Sequence, residues 1–175
     1  MGARHHLLQP GDMSYLGIVA LDPDGTPPGR PRWFGLDDQK QVRRDWEAGR
    51  RLRGWVARAD GIDDVLRGRE AIFGRKVALP TDAPAFDFAI PDDGSLPWGG
   101  AAPSLIDRCG KARSMATIAD LGARLRRFSL EHPEAEAIAS LLRELGAERA
   151  PVVAHGRELR YRAQIETLAG LRDLS

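Results

Sequence analysis

Side chains able to do chemistry near neutral pH are sparse in this sequence of 175 residues, which carries four histidines and one cysteine. His5 and His6 are adjacent in "RHHLL", a strand-like run. Neighbours on a strand point to opposite faces, so the pair is poorly placed to chelate one ion. His132 falls at a helix entrance and His155 in a loop, neither with an evident carboxylate partner in the sequence. Cys109 precedes Gly110 with no activating base beside it, which argues against a nucleophilic thiolate. The run "RRDWEAGRRLRGWVAR" gathers arginines around Trp46 and Trp55, a composition that can clamp an anion or stack bases. A solvated helix and linker leading into a sheet edge accounts for the same run and is the simpler reading. Trp33, in "RWFGLDD", is expected to pack under a long loop.

The charge balance narrows the partners. Lys plus Arg number 26 and Asp plus Glu 25, a formal net charge of +1. The molecule as a whole thus has no electrostatic case for a polyanion, and no nucleic acid partner is expected. A hydrophobic content of 42% suffices for one well-buried core, or for two small modules sharing one. The single cysteine excludes an intrachain disulfide and any multi-cysteine metal site, and fits a reducing, cytoplasmic setting. No apolar run reaches the ~18 residues of a membrane span, so no membrane partner is expected. The opening "MGARHHLLQP" has too short an apolar stretch for a signal peptide.

The elements that would position these residues follow a repeated plan. "LRGWVARADGIDDVLRGREAIFG", from Leu52, and "LRRFSLEHPEAEAIASLLRELG", from Leu125, each open as a strand, pass a polar break and enter a helix. Trp55 then falls on Phe128, and Val65 on Ile138. In the second helix Ile138, Leu141, Leu142 and Leu145 recur at the spacing of one apolar face. Pro133 suits its first turn and Gly146 its end. In the first, Ile62, Val65 and Leu66 mark the buried face, with Asp60 as N-cap and Asp63 and Asp64 favouring the helix dipole. Three strand-like runs follow each helix, so the expected fold is α+β, built from repeated βαβββ modules with curled mixed sheets around a cavity. The expected organisation is an incomplete first module of two strands and a Pro/Gly-rich connection over 1–50, then βαβββ modules over 51–120 and 121–175. The two complete modules are expected to superpose. Within the first, Gly17 interrupts the strand "SYLGIVAL", where a bulge, a close approach or a vacated side-chain position would explain it.

The phrases "SYLGIVALDPD", "RPRWFGLDD", "GWVARADGIDD", "IPDDGSLPWGGAAPSLID" and "RLRRFSLEHPEAEAIASLLRELG" together resemble the glyoxalase-like domains of the vicinal-oxygen-chelate superfamily. The resemblance implies sheets curled around a cavity. In its enzymes a divalent ion is held by His or Gln on a first strand and Glu on a last strand, leaving open positions for Lewis-acid chemistry. The corresponding positions here are Gly54 and Arg127 on the two first strands, and Gly17 where an acid is common in "YLGI". Only Asp107, in "SLID", and Asp173, in "LRDL", keep a last-strand acid. The resemblance therefore implies a pocket bearing Tyr15, Gly17, Gly54 and Arg127, with no metal and no cofactor. Asp107 is the expected general base if a partly apolar cavity raises its pKa. His5, which aligns with a polar cavity position of the family, is the second candidate. Three functions follow: a metal-free binder of a small organic molecule with acid-base chemistry, a metal-dependent lyase, isomerase or dioxygenase completed by oligomerisation, and a non-catalytic interaction domain. The missing strand and helix of the first module lead to the expectation of a homo-oligomer, most simply a homodimer.

Overall fold

The structure is a computed structural model that describes residues 2–11, 14–80, 85–111 and 118–175. Strands β1 (Ala3–Leu8) and β2 (Leu16–Leu21) pair antiparallel as a hairpin, and helix α1 (Gln39–Glu47) follows the Pro/Gly-rich connection. A first four-stranded sheet is built from β3 (Val56–Arg58), β4 (Arg75–Leu79), β5 (Phe86–Ile90) and β6 (Ser104–Asp107), with α2 (Ile62–Leu66) and α3 (Glu70–Phe73) between β3 and β4. A second is built from β7 (Arg124–His132), β8 (Val152–His155), β9 (Arg160–Thr167) and β10 (Gly170–Leu174), with α4 (Ala135–Glu144) between β7 and β8. Both sheets are mixed, because β3 runs parallel to β6 and β7 parallel to β8 while the other pairs are antiparallel. The fold is α+β, as the sequence implies.

The two units share an element order but not a strand order. The first sheet runs β3-β6-β5-β4 and the second β10-β9-β7-β8, so the opening strand is an edge in one and interior in the other. Its length differs accordingly. Three-residue β3 bonds only to β6, whereas nine-residue β7 is paired along both sides, and very short strands suit sheet edges. The expected superposition therefore does not extend to the order of the strands, although Val65 and Ile138 both fall on the helices that follow the opening strands.

Helices lie between the sheets. Ile62 and Leu66 of α2, Phe73 of α3, and Ala89 and Leu105 of the first sheet form one core cluster, to which α4 contributes Leu141. On its neighbouring stripe α4 turns Ile138 and Leu142 to Leu130 and Tyr161 of the second sheet. One amphipathic helix thus belongs to both cores, and its i, i+3, i+4 pattern is wide enough to do so. Gly68, at φ +74°, separates α2 from α3. The opposite face of the first sheet carries Phe88, Ile90 and Ile106 against Trp33 and Leu36, with Val19 and Leu21 of the hairpin closing over them. Trp33 meets Phe88 at 4.8 Å between ring centroids, packed under the loop as expected.

The hairpin register is continuous through Gly17, which pairs with Leu7, so Gly17 is not a bulge. A Cβ there would meet Leu7 Cδ2 at 3.5 Å and Tyr15 Cε2 at 4.0 Å. The position is a partly filled, open spot on an exposed stretch of strand. Gly17→Ala is expected to be neutral or to stabilise by up to about 1 kcal/mol through lower unfolded-state entropy; urea denaturation checks it, and a loss above that size would show a tighter site than this one.

Candidate ligand cleft

Side chains on β7 and β9 alternate between two environments. Phe128, Leu130, Tyr161, Ala163 and Ile165 face the α4 side, and the intervening residues face outward. There an open cleft of about 1120 Å³ lies between the sheet, α1 and the chain leading into β3. Register sets its floor: Arg127 lies opposite Gln164, Ser129 opposite Arg162 and Glu131 opposite Arg160. From the flanking strands come Val152 and Ala154 of β8 and Asp173 of β10, the last opposite Gln164.

The wall is held by a buried charge. Asp45, 8% exposed, accepts hydrogen bonds from Gln41 Nε2 at 2.7 Å, Arg50 Nη2 at 2.6 Å and Arg53 Nε at 3.0 Å. Burial pushes its carboxyl up, but the bonds from Arg50, Gln41 and Arg53 outweigh burial and hold it below the ordinary aspartate value. Next to this anchor the Arg51 and Leu52 amides donate to the Ser175 carbonyl, and Arg51 stacks over Trp46 at 4.0 Å. Further along, the Arg53 carbonyl lies so near Gly100 that a Cβ there would come within 2.5 Å. The arginine and tryptophan run is thus largely structural, as its simpler reading has it. Asp45→Ala would leave Arg50 and Arg53 without their counterion, and a loss of about 2 kcal/mol is expected, measured by chemical denaturation.

The residues singled out in the sequence are not brought together. Arg127 and Asp173 both line the cleft. Gly54 lies behind its wall, where a Cβ would come within 2.7 Å of Leu96 Cδ2; Leu96, a cleft residue, fills that position. Tyr15 and Gly17 are exposed on the hairpin, outside the cleft lining. His5 lies against Trp33 at 5.6 Å between ring centroids, and desolvation lowers its pKa. Cys109 Sγ is 3.7 Å from Asp87 Oδ2; burial and the carboxylates of Asp87 and Asp107 push the thiol up, away from a reactive thiolate. His155 ends β8 rather than lying in a loop, and faces His132 in the parallel register. The Nδ1 of His132 already accepts the Glu134 amide at 3.1 Å.

Asp107 takes a different role from the expected one. Leu105 faces the helices and Ile106 the opposite side, so strand alternation turns Asp107 toward the start of α2. There Oδ2 accepts the amides of Gly61 at 2.9 Å and Ile62 at 3.1 Å, and Oδ1 accepts that of Cys109 at 2.7 Å. Asp60, the expected cap, pairs with Arg58 instead. Desolvation raises the Asp107 carboxyl, yet the three amides and the nearby Arg58 charge prevail and its pKa is lowered. A lowered pKa means that this cap contributes in full above the unfolded value of about 3.9 and is lost as pH falls through the lower folded value. Asp107→Asn replaces one accepting oxygen with an amide NH2 that cannot accept from these donors, and a cost of about 1–3 kcal/mol near pH 7 is expected. The gap to wild type should close on acidification, as urea titrations across pH would show.

A family model described as a glyoxalase-like domain matches residues 1–146, and the chain belongs to this family of the vicinal-oxygen-chelate superfamily. No match is found among curated proteins or among solved structures. Strands β8, β9 and β10 lie beyond the matched residues, so the cleft joins family sequence on α1 and β7 to strands outside it. The metal chemistry of the superfamily needs a convergent donor set. Among the described residues no group of three or more His, Cys, Asp or Glu is placed to hold an ion. Gly17, Gly54 and Arg127 supply no donor at the positions the resemblance indicates, so the described residues do not assemble a transition-metal centre there. Among the described residues no helix is long and apolar enough to cross a membrane.

Proposed function

We propose that this glyoxalase-like chain binds a small organic molecule in the cleft through its own side chains, without a metal ion. The observation that carries this reading is the cleft itself, about 1120 Å³ on the face of the second sheet turned away from α4, with Arg127 from a first strand and Asp173 from a last strand on its lining. Small-molecule sites are concavities of about 300–1,000 Å³ with a few convergent polar groups, and an open cleft of this size accommodates one. Of the carboxylates on the lining, Asp45 and Glu158 are tied to arginines, so a proton transfer in the cleft would use Glu131 or Asp173 and not Asp107, which is committed to α2.

A thermal-shift screen of small metabolites, run beside elemental analysis of protein purified without chelator, tests the reading. One or more organic compounds should raise Tm with increasing concentration, because a ligand bound only to the folded state stabilises it. Fe, Mn, Ni and Zn should each be well below one per chain. A stoichiometric ion whose removal lowers Tm would instead support the metal-dependent lyase, isomerase or dioxygenase completed by oligomerisation. Absence of both ion and ligand response would support the interaction domain.

A further inference from the structure

We infer that the ligand of the cleft is an anion, a carboxylate or a phosphate monoester, held between Arg127 and Arg162; the inference rests on the cleft being a ligand site. The two arginines stand on adjacent strands, Arg127 opposite Gln164 and Arg162 opposite Ser129. They are therefore diagonal neighbours on one face, about 7–8 Å apart at the backbone. Guanidinium groups on stems of that length reach a single anion between them, each with a planar fork of donors.

Their state of pairing sets them apart from the other arginines of the cleft. Arg50 and Arg53 are tied to Asp45, and Arg160 to Glu158. Among the described residues the guanidinium groups of Arg127 and Arg162 make no ion pair and no hydrogen bond. Among the described residues no carboxylate is paired with either guanidinium, so an anionic ligand displaces no partner to reach them. The hydroxyl of Ser129 and the amide of Gln164, their cross-strand partners, add neutral donors on the same floor. Asp173, beyond Gln164 on β10, and Glu131, opposite Arg160 on β7, put negative charges at two ends of the floor and confine an anion to the ground between them, over Arg127, Ser129 and Arg162.

A backbone irregularity produces this arrangement. The β7–β9 register slips between Leu125, opposite Ile165, and Arg127, opposite Gln164. Arg126 is the extra residue. Without it, alternation would put Arg127 on the same side as Leu125; the bulge brings it to the cleft face, a re-aiming that bulges perform beside functional sites. Arg126 itself is neutralised by Glu166, leaving Arg127 as the uncompensated member.

Titration of the full ¹⁵N-labelled chain with malonate, with inorganic phosphate and with malonamide as the uncharged counterpart tests the inference. Malonate or phosphate should shift the Ser129 and Gln164 amide resonances and raise Tm, while malonamide does neither. In the Arg127→Gln/Arg162→Gln double variant, anion affinity should fall at least about tenfold, with an anion-free spectrum and Tm close to wild type because both side chains are exposed. Undiminished anion binding by the double variant would overturn the assignment to these residues. If uncharged compounds move the cleft resonances and neither anion does, the anion inference falls and the ligand site stands; if nothing moves them, both fall.

Discussion

The cleft depends on one buried carboxylate. Asp45 sits on α1 with little exposure, and a charge in that position persists only when it is compensated. Its compensation comes from Arg50 and Arg53, which lie on the chain entering the first sheet. The same chain segment donates to the Ser175 carbonyl at the end of β10 and passes close against Gly100. Tyr161, from the second sheet, donates its hydroxyl to the Gly100 carbonyl, and burial pushes that phenol up in pKa. Helix, wall and floor are therefore joined through a few polar contacts at the boundary between two apolar cores. The apolar clusters alone, being non-directional, would not fix the height of the wall above the floor.

On that frame, the second sheet is asymmetric by construction. Its inner face is Phe128, Leu130, Tyr161 and Ala163 against α4, with Phe128 and Tyr161 stacked at 5.7 Å between centroids. Its outer face is polar and carries arginines. A solvated face needs no ligand to explain it, since one-sided burial is ordinary for antiparallel pairing. What exceeds the ordinary is the combination of a concavity, a bulge at the rim of the floor and two neighbouring arginines that no carboxylate among the described residues pairs with.

The fold was legible where it rested on periodicity. The apolar positions of α4 recur at helical spacing and are buried as that spacing requires, and the strand-like runs after each helix became strands. Strand order was not legible, because β3 and β7 open with similar sequence but differ in length and in the number of their neighbours. The cleft lining was legible only in part. Arg127 and Asp173 reached the cleft, while Arg162, Ser129 and Gln164 were missed, although the alternation in "LRYRAQIE" places Arg162 and Gln164 together on the polar side. Asp107 failed for a reason of parity: the sequence sets a carboxylate near a strand end, and a shift of one residue decides whether it meets a cavity or a helix start. The bulge at Arg126 has no local signature, since it depends on what β9 offers opposite.

Glycines at positions where the resemblance implies metal ligands suggest an emptied cavity, and the surroundings of these glycines show a different outcome. The space beside Gly54 is taken by Leu96, and the space above Gly17 is bordered by Leu7. Dense packing is the normal state of protein interiors, so a vacated ligand position tends to be filled by neighbours rather than kept open as room for a ligand. A cleft of about 1120 Å³ lies instead over the second sheet, where the exposed face is polar and close packing is not demanded. A search for chemistry in this chain is therefore better guided by the unpaired charges around that volume than by the absences along the strands.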